Sequence, residues 1–143
     1  MKATSRNTQK VDKGVAAVEF ALILPLLMMM IFGIINYGLL LYDQAVITNA
    51  AREGARWGSI KSSGPINCTD TIIGNANPCQ VANNYTNNNL ITFGTPNLLT
   101  TGIGAGTTGS TVTITVAYTF NPIGYFMGSS RNALSATAVM YHE

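Results

Sequence analysis

Few side chains in this 143-residue chain have chemistry to offer: Glu19, Cys68, Cys79 and His142 lead a short set. Glu19 stands alone at the head of an apolar run with no further charge until Asp43. A carboxylate in a membrane segment is costly and marks a function by default. Cys68 and Cys79 are the only cysteines and His142 the only histidine. Their spacing fits no common zinc pattern. Outside the cytoplasm, two cysteines in a loop-rich stretch favour a disulfide. In a reducing compartment they would be free thiols, which requires the opposite topology. His142 is penultimate, with only the terminal Glu143 beside it and no nucleophile, so it reads as a surface residue. Beyond Glu53 the only carboxylates are Asp70 and Glu143, too few for an acid–base pair in a cleft. Gly102-Ile103-Gly104-Ala105-Gly106 is glycine-rich but precedes a strand, whereas a dinucleotide loop follows a strand and opens a helix. It reads as a turn. Asn67-Cys68-Thr69 and Asn84-Tyr85-Thr86 match the glycosylation triplet, which arises often by chance in Asn-rich sequence. No enzyme activity, metal, cofactor or small-molecule substrate is expected.

Composition points to an anchored chain with a small polar domain. Apolar residues make up 47% and charged residues 10%, against about 25% charged in ordinary soluble domains. The apolar excess is concentrated between Phe20 and Tyr42, 23 residues without a charge. At about 1.5 Å per residue this is roughly 35 Å of helix, enough to cross a bilayer core. It is apolar on every face, so it is not an interfacial amphipathic helix. Lys2, Arg6, Lys10 and Lys13 precede it against Asp12 alone, while four basic and five acidic residues follow Gly14. The positive-inside rule puts the N-terminus in the cytoplasm and the chain beyond about residue 43 outside. No basic patch remains there, so nucleic acid is not an expected partner. The run is too long, and its carboxylate out of place, for a cleaved signal peptide.

Pro25 lies inside the run and predicts a kink or local loosening. Gly33 and Gly38 are either close-approach sites for another helix or neutral filler. The helix is expected to continue to about residue 58, because Asp43 to Trp57 contains no proline and good helix formers. Ala50, Gly54 and Gly58 recur every four residues and form a narrow small-residue face. Its default use is close packing of a sheet or second helix; contact with a partner subunit is the alternative. Glu53 and Arg56 fall on the polar side at a pairing distance of three residues.

Residues 62–110 are dense in Gly, Pro, Asn, Thr and Ser and read as turns and loops. Within them Cys79 to Leu90 reads as a short helix with Val81 and Tyr85 inward, and Ile91 to Phe93 as a short strand. Thr111 to Phe120 alternates strictly, with Val112, Ile114, Val116, Tyr118 and Phe120 on one side. This predicts a strand with one buried face. Leu134 to Tyr141 predicts a second strand, with Asn121-Pro122 ending the first and Gly128-Ser129-Ser130 turning. The expected fold is α+β: a long hydrophobic helix followed by a small antiparallel β domain packed on its far end.

Several of these features together resemble the TadE family, minor pseudopilins of the tight-adherence (Flp, type IVc) pilus system. They are Gly14 with Glu19-Phe20 five residues on, Ala21 to Leu27, Phe32-Gly33-Ile34, and Thr48-Asn49-Ala50-Ala51-Arg52-Glu53-Gly54-Ala55-Arg56. The C-terminal order of alternating strand, Pro-containing bridge and Leu134-Ser-Ala-Thr-Ala138 strand is also similar. The resemblance implies a basic leader over 1–14 and cleavage between Gly14 and Val15 by a prepilin peptidase. It implies a helix over 15–60, with the transmembrane part near 20–42, and an extracytoplasmic domain over 61–143. It further implies a single-pass location in the bacterial inner membrane, in contact with lipid, and a place in a surface pilus or its assembly base, scarce in the finished fibre. The implied partners are a related pseudopilin and the pilus assembly machinery, with a role in assembly or anchoring for surface attachment. Glu19 would pair with the new Val15 ammonium, or else reach the headgroups. The competing reading is an uncleaved single-pass envelope protein whose outer domain binds another protein.

Overall fold

A computed structural model describes residues 8–61, 64–68, 77–93, 97–123 and 132–143, with side chains from Gly14 onward. The chain is α+β, a long helix followed by a short one and a small sheet.

Helix α1 spans Thr8–Lys61, 54 residues, and runs without a break through Pro25. At about 1.5 Å per residue it is roughly 81 Å long. Residues 14–35 meet nothing else in the molecule closely enough to be buried; Gly33 alone is half-covered. From Asn36 onward one face is covered: Asn36, Asp43, Val46, Ile47, Ala50, Ala51, Gly54, Ala55 and Gly58 are buried. These positions follow the spacing of three, four and seven that places residues on one helix face. On the outer side Glu53 and Arg56 approach to 3.6 Å, with both side chains largely exposed, so the pair contributes little.

Helix α2 spans Pro78–Asn89. Asn77 caps it, its side-chain oxygen accepting from the Cys79 N–H at 3.0 Å. Pro78 takes the first helical position, where a missing N–H costs nothing. The buried side of α2 is Pro78, Cys79, Ala82 and Thr86 rather than the expected Val81 and Tyr85, which are half-buried. Small residues face α1 because its glycines bring the two helices close.

The sheet has three strands rather than the expected two, in the order β1 (Asn97–Gly104), β2 (Thr111–Phe120), β3 (Asn132–Tyr141). Both pairings are antiparallel, with Ile114 facing Gly102 on one side and Ala138 on the other. The expected strand at Ile91–Phe93 is irregular chain. Gly102 and Gly104, read as part of a turn, lie in β1, and the turn proper follows at 105–110. There Gly106 and Gly109 adopt φ of +66° and +82°, which other residues avoid. The predicted turn at Gly128–Ser130 lies outside the described residues. Val112, Ile114, Val116, Tyr118 and Phe120 all point into the core with Ile47, Ala50, Ala51 and Ala55. The sheet thus lays its alternating face over α1 and α2 in two layers.

Candidate functional site

The residues singled out from sequence divide into two groups at different ends of α1. Gly14, Val15, Glu19 and Phe20 lie at the exposed end. A Cβ placed on Gly14 would meet nothing within 4 Å. Val15, Glu19 and Phe20 are all exposed on the helix surface. Gly33 also has open space where its side chain would be. Of this group only half-buried Gly33 borders the head, across a cavity it shares with Phe120 and Pro122. The backbone at Gly14–Val15 is therefore reachable from several sides, and Glu19 projects from a rod of apolar side chains.

The second group is where the head is built. A Cβ on Gly54 would lie 2.9 Å from the Pro78 carbonyl oxygen and 3.0 Å from the Ala82 Cβ. One on Gly58 would lie 2.9 Å from Val112 Cγ1. Together with fully buried Ala50, these positions form the surface on which α2 and the sheet sit. The small-residue face is used within the molecule.

Cys68 and Cys79 form a disulfide with Cα atoms 5.5 Å apart. It joins the stretch after α1 to the first turn of α2. Both sulfurs lie against Gly102 of β1, where a Cβ would come within 2.8 and 3.0 Å of them. Close by, the Ile66 N–H donates to the Gly104 carbonyl at 2.9 Å, and Ile66 packs over Gly104. The glycines of β1 are thus the floor beneath a covalent staple.

Two polar residues of α1 that the sequence reading did not single out as sites form the joint between rod and head. Asn36 is buried and bonded twice to one backbone position. Its Nδ2 donates to the Ile123 carbonyl at 3.0 Å, and the Ile123 N–H donates to its Oδ1 at 2.7 Å. Asp43, seven residues on and on the same face, is fully buried. Its Oδ1 accepts from the Ile91 N–H at 3.4 Å, while Oδ2 meets no hydrogen-bond partner among the described residues. Burial pushes the Asp43 carboxyl above the usual carboxylate range, and the Ile91 N–H partly opposes this. Tyr118 is raised as well, by burial first and by the neighbouring Asp43 charge second. Tyr42 and Gln44 reach the head from either side, Tyr42 donating to the Asn89 carbonyl at 3.1 Å and Gln44 to that of Ser135 at 3.3 Å. The seven-residue spacing of Asn36 and Asp43 was the sequence signal for this joint.

Among the described residues no group of His, Cys, Asp or Glu could hold a metal ion. Among the described residues one helix, Gly14–Lys61, is long and apolar enough to cross a membrane, and none of them buries its most apolar window. That is compatible with single-pass anchoring. No curated protein and no solved structure matches the chain. Residues 14–56, from the exposed glycine to the floor of the head, match the model of the TadE-like protein family, the family of tight-adherence pilus components that their motifs resemble.

Proposed function

We propose that the protein is a minor pseudopilin of a tight-adherence pilus. Its leader 1–14 is removed between Gly14 and Val15 by a prepilin peptidase, and its helix is held in the inner membrane with the head outside until assembly. The observation that carries this reading is the family match, which begins at Gly14 and takes in Glu19 and the whole uncovered apolar stretch. Exposure of the Gly14–Val15 bond and the lack of a side chain at Gly14 suit attack by a protease at the membrane face. Once cleaved, Val15 carries a new ammonium and Glu19 a carboxylate, each expensive to leave alone in hydrocarbon and cheaper as a pair. Gly33, open on its outer side, is where a related pseudopilin's helix comes closest.

The intact mass and N-terminal sequence of the protein from its native host test the reading. A chain beginning at Val15 is expected, and Gly14→Val is expected to accumulate the longer form. Glu19→Ala is expected to spare leader removal and impair incorporation. Recovery of only the full-length chain from cells with an active peptidase would replace this reading with an uncleaved envelope protein. A photoreactive residue at position 33 is expected to capture a related pseudopilin rather than lipid alone.

A further inference from the structure

The packing of the head fixes how far up the helix a membrane can reach. A span set by charge alone runs over 20–42. The head, however, occupies α1 from Asn36 upward: Leu39 and Leu40 pack against the core and Asp43 is fully buried within it. A bilayer centred on residue 31 would have to take in Ile123, Phe120 and the rest of the sheet end that rests on Asn36.

We infer that the lipid-embedded stretch is Gly14–Ile35, so that the head sits directly on the outer boundary of the bilayer; this rests on the proposed single-pass anchoring. Three observations carry it. Residues 15–35 are exposed apart from half-covered Gly33, with Leu22, Leu26, Met30 and Ile34 at 64–75% exposure. Twenty-two residues at about 1.5 Å give roughly 33 Å, close to the thickness of a hydrocarbon core. In the uncleaved chain Lys13 closes this stretch on one side, and exposed Tyr37 closes it on the other. That is the order of basic and aromatic flanks expected at membrane boundaries.

The structure at the upper boundary suits that position. A cavity of about 200 Å³ opens there between rod and head. Leu40, Phe120 and Pro122 give it apolar walls, and Asn36, Tyr37 and Asn132 polar ones. Such a mixed lining matches the glycerol and headgroup zone better than bulk water or hydrocarbon. Asn36 can lie at this depth because Ile123 satisfies both its oxygen and its amide. The inference also moves Glu19 inward. With the span starting at Gly14, Glu19 sits about 8 Å inside the cytoplasmic boundary instead of at its edge.

Spin-label depth measurement tests this on the full chain in phosphatidylethanolamine–phosphatidylglycerol vesicles. Cys68 and Cys79 are bonded to each other, so single cysteines at 22, 26, 30, 34, 37 and 41 can be labelled selectively. All six positions are exposed, and of them only 37 borders the cavity beneath the head. Oxygen accessibility relative to an aqueous nickel chelate is expected to peak near residue 25, with the label at 41 in water. A peak near residue 31 with 41 in lipid, a shift of about 9 Å, would overturn this inference and leave the anchored reading standing. Aqueous accessibility at every position would overturn the anchored reading itself.

Discussion

The lower part of α1, residues 14–35, leaves its apolar side chains uncovered, whereas the upper part, 36–61, buries one face beneath a head. The composition of the two parts explains the division. The lower part is built from large apolar residues, among them Leu22, Leu26, Met28, Met29 and Met30, that need cover on all sides. The upper part alternates small residues with polar ones, so that α2 and the sheet can approach within van der Waals contact. A continuous helix therefore carries two packing codes. One asks for a solvent of lipid or neighbouring helices, the other for this chain's own sheet. The change occurs at Asn36, where a polar side chain appears in an apolar run and is bonded by the head.

The largest expected difference between the two parts lies in core truncation. Ile114→Ala removes a fully buried side chain of β2 and should cost about 2–5 kcal/mol of head stability. Ile23→Ala, in the uncovered part, should leave the head's unfolding midpoint unchanged. Denaturant unfolding of the detergent-solubilised full chain, followed through the tyrosines of the head, measures both. A similar loss from Ile23→Ala would show that the two parts are not independent.

Next in size is the staple. Replacing Cys68 and Cys79 by serine opens a link between residues 11 apart, worth about 3 kcal/mol by loop-closure entropy. The loss should be confined to the head. Protease digestion is expected to cut first between α1 and α2, with the lower helix unaffected.

Glycine substitutions give the sharpest test of the division, at about 1–3 kcal/mol. Gly54→Ala drives a methyl toward the Pro78 carbonyl and Ala82 and should destabilise. Gly38→Ala meets nothing within 4 Å and should be neutral or slightly stabilising, since alanine favours helix over glycine. Equal effects at the two sites would erase the distinction drawn here.

The smallest effect is set by Asp43. Its folded carboxyl titrates above the ordinary value near 3.8, so the unfolded chain gives up that proton first as pH rises. The group's contribution to stability is full below that value and is lost as pH climbs through the raised folded one. Asp43→Asn should flatten this decline between acid and neutral pH. Thermal midpoints of the two forms across that range report it, and parallel curves would place the carboxyl's ordinary pKa in the folded head.

The two packing codes were unequally legible in sequence. The lower helix was plain because nothing in it competes with an apolar reading, and β2 because its period-2 pattern is strict. The stripe of Ala50, Gly54 and Gly58 was legible as a close-packing face, though not which elements would fill it. β1 was hidden because its inward positions include Thr100, Gly102 and Gly104, which carry no apolar signal. Gly102 and Gly104 pack against the disulfide and Ile66 instead, and Thr100 bonds to Asn83, partners distant in sequence. α2 was visible as a helix, but its inward side was misjudged: its largest residues looked like the core, whereas the glycines opposite select its smallest. Asn36 and Asp43 were obscured for a similar reason. A polar residue in an apolar run reads as a boundary, and only the fold shows that each meets a backbone group of the head.

The stagger of the joint has a mechanical consequence. From Asn36 to Gly58 the head grips the rod through Ile123, Ile91, Ser135 and Pro78 in turn, along roughly 33 Å of its length. A tug along the rod's axis loads these attachments together, in shear. A sideways pull on the sheet would instead peel them one at a time. A lengthwise pull thus stresses the head in its strongest direction, and rod and head travel as one piece.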